Sequence, residues 1–308
     1  MKTYKQWFIL LILIIASSCS NEQDKNLKNT ENPNFIFEKS KLLENYQIPK
    51  EDIISLQKLG FSGSYGVAME RTDYLNNETY IYYLMENDIE IRKNSLPSMT
   101  NDLLKNKTPH QSKQFHTTNL VTYPRDIRVI AVNFTEEKLI KGIELAIKNY
   151  NNLNLALHFT LEYRPISNSS QALRALRNGD ILAFQRDEGR AGGSAGFPSK
   201  GGAPYHRVYV DIATAKYSVD VCELVFTHEI GHTIGFRHTN YFDRSVGCNF
   251  PVYNEGEGYV GAIHIPGTPE KVDIDLESVM LACFYGGEDG EFSTVDITAL
   301  NYLYKIYE

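Results

Sequence analysis

A run of thirteen residues, THEIGHTIGFRHT at 227–239, constrains the fold of this 308-residue chain more than any other feature. It contains three of the eight histidines, His228, His232 and His238. On an α-helix, which has about 3.6 residues per turn, His228 and His232 lie one turn apart on the same face, so both imidazoles can bind one ion. Gly235 allows a left-handed turn that brings His238 back as a third ligand.

The residues around these histidines are apolar and predict a helix that is buried on nearly all sides. Val221 and Val225 continue the histidine face, and Phe226, Ile230 and Ile234 form a second face. Histidines on a buried helix need partners, because an unpaired polar group in an apolar environment costs free energy. Three neutral imidazoles leave a fourth tetrahedral position for water, so the stretch predicts one catalytic Zn²⁺ rather than histidines that only fill a core.

Glu229 follows the first predicted ligand directly and is expected to face the zinc-activated water. In that position it is the predicted general base, which takes the proton of the water and later delivers it to the leaving amine. A structural zinc site has no need of a carboxylate there. The pattern therefore favours hydrolysis over metal binding alone.

The N-terminus, MKTYKQWFILLILIIASSCS, is typical of a secretory signal peptide. Lys2 and Lys5 precede an apolar run at 7–16, which is too short for a membrane-spanning helix of about 20 residues. The small residues before Cys19 resemble the lipobox of bacterial lipoproteins, so 1–18 is a predicted lipoprotein signal peptide and Cys19 a predicted lipidation site. Ordinary cleavage beside an incidental cysteine is the alternative. Lipidation predicts a protein of the bacterial cell envelope, anchored at the outer membrane or the cell surface.

Polar composition predicts a flexible tether over residues 19–45. The formal net charge of −7 gives no general attraction to nucleic acid, which is excluded as an expected partner. The expected partners are a protein or peptide substrate, and the membrane through the N-terminal lipid. No pattern indicates an oligomeric state.

A polar stretch at 105–119 separates two predicted regions, an N-terminal region at 46–115 and a catalytic domain at 116–308. The N-terminal region contains a predicted helix that begins near Pro49 and ends at Gly60, and predicted strands at 79–85 and 88–92. It carries no obvious chemistry, and a propeptide is one interpretation of it.

The second region has the pattern of a mixed sheet packed by two helices. Thr135 is the predicted N-cap of a helix at 136–150, and Ser218 is that of the helix at 219–234. Strands are predicted at 126–132, 155–163, 180–185 and 206–212, with the glycine-rich GSAGF at 193–197 before the last of them.

The motif HEIGHTIGFRH resembles that of the metzincin zinc peptidases, and with the downstream HIPGTP it is most similar to the bacterial dual-action HEIGH metallopeptidases. The resemblance extends from Asp126 to the C-terminus. It implies an α+β metzincin-like catalytic domain with a mixed five-stranded sheet, an active-site helix, a methionine turn and a C-terminal helix. It also implies a zinc metalloendopeptidase.

Two later segments match this resemblance. Met280, in DLESVMLACF, is the implied Met-turn residue, although a methionine in an apolar stretch is usually core filler. FSTVDITALNYLYKIY resembles the closing helix, with a predicted capping box of Ser293 and Asp296. Several metzincin families have a tyrosine two residues after the methionine; here Ala282 stands there, so oxyanion stabilisation is expected from zinc itself.

The resemblance further implies that an upper edge strand binds substrate as an additional strand. GSAGF occupies this place, and a plain glycine-rich loop is the alternative. The implied contact residues are Ser194, Ala195, Gly196 and Phe197.

Three cysteines follow Cys19, too few for a fold held together by disulfides. The architecture of the clan brings the segments of Cys248 and Cys283 together, which implies a disulfide between them in an oxidising compartment. Three buried free thiols are the alternative. Cys222 is expected to remain a packed thiol.

Some peptidases of this clan are kept latent by a propeptide aspartate that binds zinc in place of water. Asp88, in YLMENDIEI, lies between two predicted strands in a loosely similar setting, and a carboxylate oxygen is an acceptable zinc ligand. A turn residue is the alternative, because Asn-Asp pairs are common in turns.

The sequence therefore predicts a secreted, lipid-anchored zinc endopeptidase. A zinc hydrolase acting on a cell-wall or other non-protein amide stays open, since the same attack by water serves any amide. A surface binding protein with a structural zinc is the third interpretation, and Glu229 argues against it.

Overall fold

The computed structural model describes residues 35–59, 61, 66–86, 88–101, 114–248, 252, 254–256, 260–268 and 274–306. They form an N-terminal unit, residues 35–101, and a C-terminal domain, residues 114–306. The predicted signal peptide and Cys19 lie outside the described residues and stay predictions.

The N-terminal unit is built on an antiparallel sheet whose strands follow the order of the chain: β1 (Glu38–Leu42), β2 (Gly66–Asp73), β3 (Glu78–Met85) and β4 (Ile89–Arg92). Helices α1 (Lys50–Lys58) and α2 (Leu96–Asn101) pack on it, and their Leu56 and Leu96 share a core with Tyr83 and Ile91. The predicted helix and the two predicted strands of this region are confirmed.

The tether predicted over 19–45 is wrong in its last part, because β1 lies within it. The strand pairs with β2 from Glu38 opposite Asp73 to Leu42 opposite Met69. Glu38 is also held by Arg207 of the C-terminal domain, with Oε2 3.1 Å from Nε. The segment EKSKL has no apolar alternation, so composition alone predicted a tether where pairing makes a strand.

The C-terminal domain contains a five-stranded sheet in the order β7 (Leu157–Arg164), β6 (Arg125–Val132), β8 (Ile181–Arg186), β10 (Arg207–Asp211) and β9 (Gly193–Ser194). The first four strands are parallel, and β9 is antiparallel to β10. The predicted α+β class with a mixed five-stranded sheet is confirmed. A small two-stranded sheet of β5 (Phe115–His116) and β11 (Ile263–His264) lies apart from it.

Both faces of the large sheet are buried, because successive residues of β6 alternate between them. Ile127 and Val129 lie in the core with helices α3 (Glu137–Asn152) and α5 (Val219–Ile234). Ile130 and Val132 lie in a second core with Ala172 of helix α4 (Ser169–Asn178).

Helix α4 is an element that the sequence-based prediction missed. Its N-cap is Asn168, whose side chain accepts a hydrogen bond from the Gln171 backbone N–H, and its buried residues are Ala172 and Ala175. Two alanines make a weak apolar stripe, so the sequence pattern predicts no helix there.

The predicted N-cap of α3 is also wrong. Glu136 caps the helix, and its side chain accepts from the backbone N–H of Lys138. Thr135 is instead bound to Gln185 of β8, both through its backbone N–H (3.0 Å) and through its hydroxyl (2.6 Å). A tertiary contact thus overrides the local capping preference.

Helix α5 begins and ends where predicted. Ser218 Oγ accepts from the Val221 backbone N–H, and Gly235 ends the helix with a φ of 113°. This φ lies in the left-handed region, which glycine adopts without strain, and that explains why the sharp turn falls at Gly235. Helix α6 (Thr294–Tyr304) has the predicted capping box.

The cysteines are arranged as the resemblance implied. Cys248 and Cys283 form a disulfide, and Cys222 is a buried free thiol. Within the part of the chain that the structure describes, no helix is both long enough and apolar enough to cross a membrane.

Candidate metal centre

Helix α5 and the turn after it bring three imidazoles together. The Nε2 atom of His232 lies 2.9 Å from that of His228 and 3.2 Å from that of His238, and the remaining distance is 3.3 Å. Nitrogens at tetrahedral positions around one zinc would be about 3.3 Å apart, given a metal–nitrogen distance of about 2.0–2.1 Å. The three predicted ligands therefore converge on one point.

The other ring nitrogen of each histidine, Nδ1, donates a hydrogen bond. His228 donates to the carbonyl oxygen of Val279 (2.8 Å), and His232 donates to that of Phe236 (2.8 Å). His238 donates to Oε1 of Glu255 (2.7 Å). A neutral ring that carries its proton on Nδ1 directs the lone pair of Nε2 towards the other two rings. Three lone pairs that face one another need a cation between them, so the residues fit a divalent metal.

Glu255 is a residue of this site that the sequence did not reveal. It is buried and also accepts from Arg244 Nη1 (2.7 Å) and Arg237 Nη2 (3.3 Å). Burial acts to raise the pKa of Glu255, but His238 and the two arginines hold it below its ordinary value. The carboxylate lies in a loop 17 residues from its histidine, and no spacing rule identifies such a partner.

Glu229 lines the same cleft as His228. It is 2 % exposed, and its Oε2 has no hydrogen-bond partner among the described residues. Strand β9 passes so close that a Cβ at Gly193 would lie 2.6 Å from Glu229 Oε1. Burial raises the pKa of Glu229 well above its ordinary value, and the Asp88 carboxylate raises it further. A buried carboxyl with a free oxygen beside the histidines is placed to exchange a proton with a water molecule in the cleft.

Met280 is buried against α5, where a Cβ at Gly231 would lie 2.5 Å from its Sδ atom. The turn that carries it is tied to the site by the Thr239 N–H, which donates to the Met280 carbonyl (2.9 Å). Asp296 of α6 accepts from the backbone N–H of Val279 (2.9 Å). The structure thus places the predicted Met-turn residue directly beneath the helix of the histidines.

Asp88, from the N-terminal unit, reaches the histidines. Its Oδ2 lies 2.7 Å from His238 Nε2 and 3.8 Å from His228 Nε2. Burial acts to raise the pKa of Asp88, but the two histidines hold it well below its ordinary value, so the group is a carboxylate. Asp88 and the three histidines offer four ligand atoms within 4.8 Å of one another, a set that can hold a metal ion.

The backbone around Asp88 lies along the predicted substrate edge. The Ala195 N–H donates to the Asp88 carbonyl (2.8 Å), and the Glu90 N–H donates to the Ala195 carbonyl (2.9 Å). Ile89 and Ala195 form a parallel bridge. The N-terminal unit therefore occupies the edge that was predicted to bind substrate.

Of the remaining predicted edge residues, Phe197 contacts a histidine of the site. Ser194 belongs to β9, whereas Gly196 and Phe197 follow the strand. The Phe197 ring meets the His232 ring edge-on, with 5.5 Å between centroids. A Cβ at Gly196 would lie 2.8 Å from the Tyr205 ring. The strand is thus shorter than GSAGF, and within that segment the contact with a histidine ring comes from Phe197.

A cleft of about 1340 Å³ opens beside these groups. Its lining includes Asp88, His228 and Glu229, and the apolar side chains of Leu224 and Val225 from α5. It is large enough for side chains of a bound peptide.

Residues 84–304 match the family model of the dual-action HEIGH metallo-peptidases, and the match includes Asp88 and all three histidines. No curated protein is significantly similar to the chain. Two structures of myroilysin resemble it weakly. One has 14% identity and a TM-score of 0.41 over 63% of this chain and 100% of that chain, and the other has 12% identity and a TM-score of 0.37 over 61% and 86%.

The family model covers most of the chain, and a peptidase family implies a metal and a protein or peptide substrate. The histidine cluster is the candidate place for that metal. The chain therefore belongs to the dual-action HEIGH metallo-peptidase family.

Proposed function

We propose that this chain is a zinc endopeptidase made in a latent form. The observation that carries the proposal is the convergence of three histidine Nε2 atoms beside a buried carboxyl group. The proposed ligands are His228, His232 and His238, and the proposed general base is Glu229.

Zinc, when held by the three imidazoles, would supply a Lewis acid and lower the pKa of a water molecule so that it could serve as a nucleophile at neutral pH. Glu229 would accept a proton from the attacking water through its free oxygen and pass it to the leaving amine nitrogen. Glu255 keeps the proton on His238 Nδ1, which fixes the direction of that ligand's lone pair.

Cleavage within a chain is supported by the edge at β9 and Ala195. Its main chain already binds residues 88–90 through two hydrogen bonds. Backbone groups of this kind hold an extended peptide of almost any sequence. A peptide can therefore run past the metal, with its further side chains in the cleft.

Latency is supported by the two places that the N-terminal unit occupies. Asp88 points a carboxylate at the histidines, and the backbone of β4 covers the edge. A carboxylate oxygen at the metal would displace the water that attacks the substrate. The unit thus blocks both the nucleophile and the binding of peptide.

We also propose that the protein is secreted and anchored by a lipid on Cys19 in the bacterial cell envelope. The support is the N-terminal sequence, in which a short apolar run is followed by small residues and a cysteine. Mass spectrometry of the mature N-terminus checks this: a lipid-modified Cys19 is expected, and an unmodified N-terminus beyond it would refute the anchor.

The activity is tested in full-length chains that carry Asp88→Ala, which removes the proposed block at the metal. If the wild type cleaves peptides equally well, the wild type is the background instead. Adding Glu229→Ala should lower peptide cleavage by about 10³-fold or more while one zinc per chain is retained, since only the base is removed. Glu162→Ala, a partly exposed carboxylate on β7, serves as control. Undiminished cleavage by the Glu229→Ala chain would reject the mechanism. Cleavage of cell-wall amides but no peptide would favour the non-protein hydrolase.

A further inference from the structure

Both halves of the molecule build a polar pocket around the carboxylate of Glu90. The residue is 7 % exposed, lies two positions after Asp88 and accepts two hydrogen bonds from Arg71 of the N-terminal unit, each 2.9 Å long. From the C-terminal domain, Ser194 Oγ donates to Oε1 (3.1 Å) and the Tyr205 hydroxyl donates to Oε2 (3.4 Å). The C-terminal domain therefore has its own set of groups for a carboxylate.

Arg186 of β8 supplies the positive charge on that side. Its Nη1 lies 3.7 Å from Glu90 Oε1, and its Nη2 donates to Ser194 Oγ (2.9 Å), which leaves the serine hydroxyl hydrogen for the carboxylate. The Nε and Nη1 atoms of Arg186 are buried and have no hydrogen-bond partner among the described residues. A second carboxylate, Glu188, is 3.7 Å from Nη1. Arg186 thus has donors available for an anionic ligand.

The charges at this interface are divided unequally. The N-terminal unit brings Glu38, Arg71 and Glu90, whereas the C-terminal domain brings Arg186, Arg207 and the carboxylate beside Arg186. Removal of the unit takes away two carboxylates and one guanidinium and leaves two guanidinium groups and one carboxylate on one edge. Cations in such a partly desolvated place are stabilised by charge-assisted hydrogen bonds, so the uncovered edge favours an acidic side chain.

The main chain fixes where that side chain enters. Residue 90 donates its N–H to the Ala195 carbonyl (2.9 Å), as a residue of an added strand does. A peptide bound along the same edge directs alternate side chains to one face. One of these side chains would point towards Arg186, close to the metal.

We propose that Arg186, Ser194 and Tyr205 form a substrate subsite for a glutamate side chain, and that Glu90 fills this subsite in the full-length chain. The proposal rests on the peptidase function proposed above and names its substrate class. The substrates are peptides with an acidic side chain at one position on the edge-strand side of the scissile bond. A peptide with glutamine at that position lacks the charge-assisted hydrogen bonds, and a peptide with lysine there is repelled by the positive charge of Arg186.

The test uses the full chain with Asp88→Ala and Glu90→Gln. These changes free the segment from the metal and the arginine, while the glutamine keeps the size of the side chain. Peptides in which glutamate or glutamine is placed at each position in turn are compared by kcat/KM. Glutamate should be preferred at one position by about tenfold or more. Adding Arg186→Gln should bring the ratio of the two kcat/KM values close to one. The control Arg164→Gln, which removes the arginine of an ion pair with Glu162 on β7, should leave that ratio unchanged.

Equal kcat/KM for the two peptides at every position overturns the subsite and leaves the peptidase function intact. Fluorescence anisotropy of the same labelled peptides on chains that also carry Glu229→Ala gives a second measurement, which needs no chemistry. A glutamate preference in binding that Arg186→Gln removes, with no cleavage by any form, would reject the peptidase function and retain the subsite. Thermal unfolding verifies that each variant is folded, and Asp88→Asn replaces Asp88→Ala if that chain is not.

Discussion

The C-terminal domain and the N-terminal unit differ in where their buried polar groups find partners. In the domain, a ligand histidine is held by an acceptor of the domain itself, as His238 is by Glu255. In the unit, Asp88 finds its partner across the interface at His238, and Glu90, although it is bound by Arg71 of the unit, also accepts hydrogen bonds from the domain. A site contained in one short segment can be predicted from its spacing, whereas an interface cannot, because its polar residues have the pattern of a solvated surface until the partner is known.

The largest expected effect follows from changing a ligand of the domain. His238→Ala should lower zinc affinity by at least about 100-fold, because it removes one imidazole and leaves the Glu255 carboxylate without its histidine. Zinc bound per chain, measured at equal free zinc, checks this. His158→Ala, an exposed histidine of β7, is the matched control and should bind zinc as the wild type does. Equal zinc affinity of the His238→Ala chain would show that the metal ligands of the domain are wrongly assigned.

The limits of prediction follow the same division. Helix α5 could be predicted to the residue, because Ser218 and Gly235 mark its ends and the histidine spacing fixes its face. Helix α4 could not, because Ala172 and Ala175 bury too little apolar surface to give a stripe. The strand β1 has no apolar pattern at all.

Within the site, a residue could be predicted when it lies close in sequence to the other residues of the site. The three histidines and Glu229 lie in one segment, so their spacing carried the chemistry. Glu255 and Arg244 depend on a loop that folds back, and Arg186 depends on the sheet. Folding brings such residues together through contacts that no local pattern encodes. Asp88 was proposed from a resemblance only, and its place 2.7 Å from His238 Nε2 makes the latency proposal sharper.

The second prediction separates the unit from the domain. Asp88→Ala in the full-length chain should raise peptide cleavage by about 10-fold to 100-fold, because the carboxylate no longer competes with water at the metal. Zinc binding should persist, in contrast to His238→Ala. The exposed acid Glu44 of the same unit gives the control, Glu44→Ala, which should not change the rate. Identical rates for the wild type, the Asp88→Ala chain and a chain lacking residues 20–101 would leave the unit as a spacer or a substrate-recruiting region.

The third prediction concerns the packing that holds the domain together without the unit. A Cβ at Gly142 of α3 would lie 2.7 Å from Cys222 Cβ and 2.8 Å from the Cys222 carbonyl carbon on α5. Backbone cannot yield as a flexible side chain does, so Gly142→Ala should lower the free energy of unfolding by about 2–3 kcal/mol despite the better helix propensity of alanine. Denaturant unfolding measures it, with Gly287→Ala as control, since a Cβ there meets no atom within 4 Å. A gain of stability would mean that the two helices are not in rigid contact.

The smallest expected effect is a pH dependence that contrasts one carboxyl of the domain with those of the unit. The pKa of Glu90 is lowered from its ordinary value, because Arg71 outweighs burial. Burial raises the pKa of Glu223 on α5 to about 7, and its hydrogen bond from Asn149 Nδ2 (2.6 Å) does not offset this. Glu291, Asp220 and Asp289 act in the same direction as burial.

The sign follows from comparing Glu223 with its ordinary pKa of 4.5 in the unfolded chain. The folded state binds the proton more tightly, so stability is full below pH 4.5 and falls as the pH rises towards about 7. Glu223→Gln keeps an acceptor for Asn149 and removes the ionisation, so it should stabilise the protein at pH 8 by about 1 kcal/mol, allowing for solvent screening, and by nothing at pH 4. Thermal unfolding of the two chains at both pH values gives the comparison, with the exposed Glu277→Gln as control. The contrary outcome is that the Glu223→Gln chain and the wild type differ in stability by the same amount at pH 4 and pH 8. That result would mean that Glu223 ionises in the folded protein with its ordinary pKa. Partners rather than burial would then decide the charge of buried carboxyl groups in both halves of the molecule.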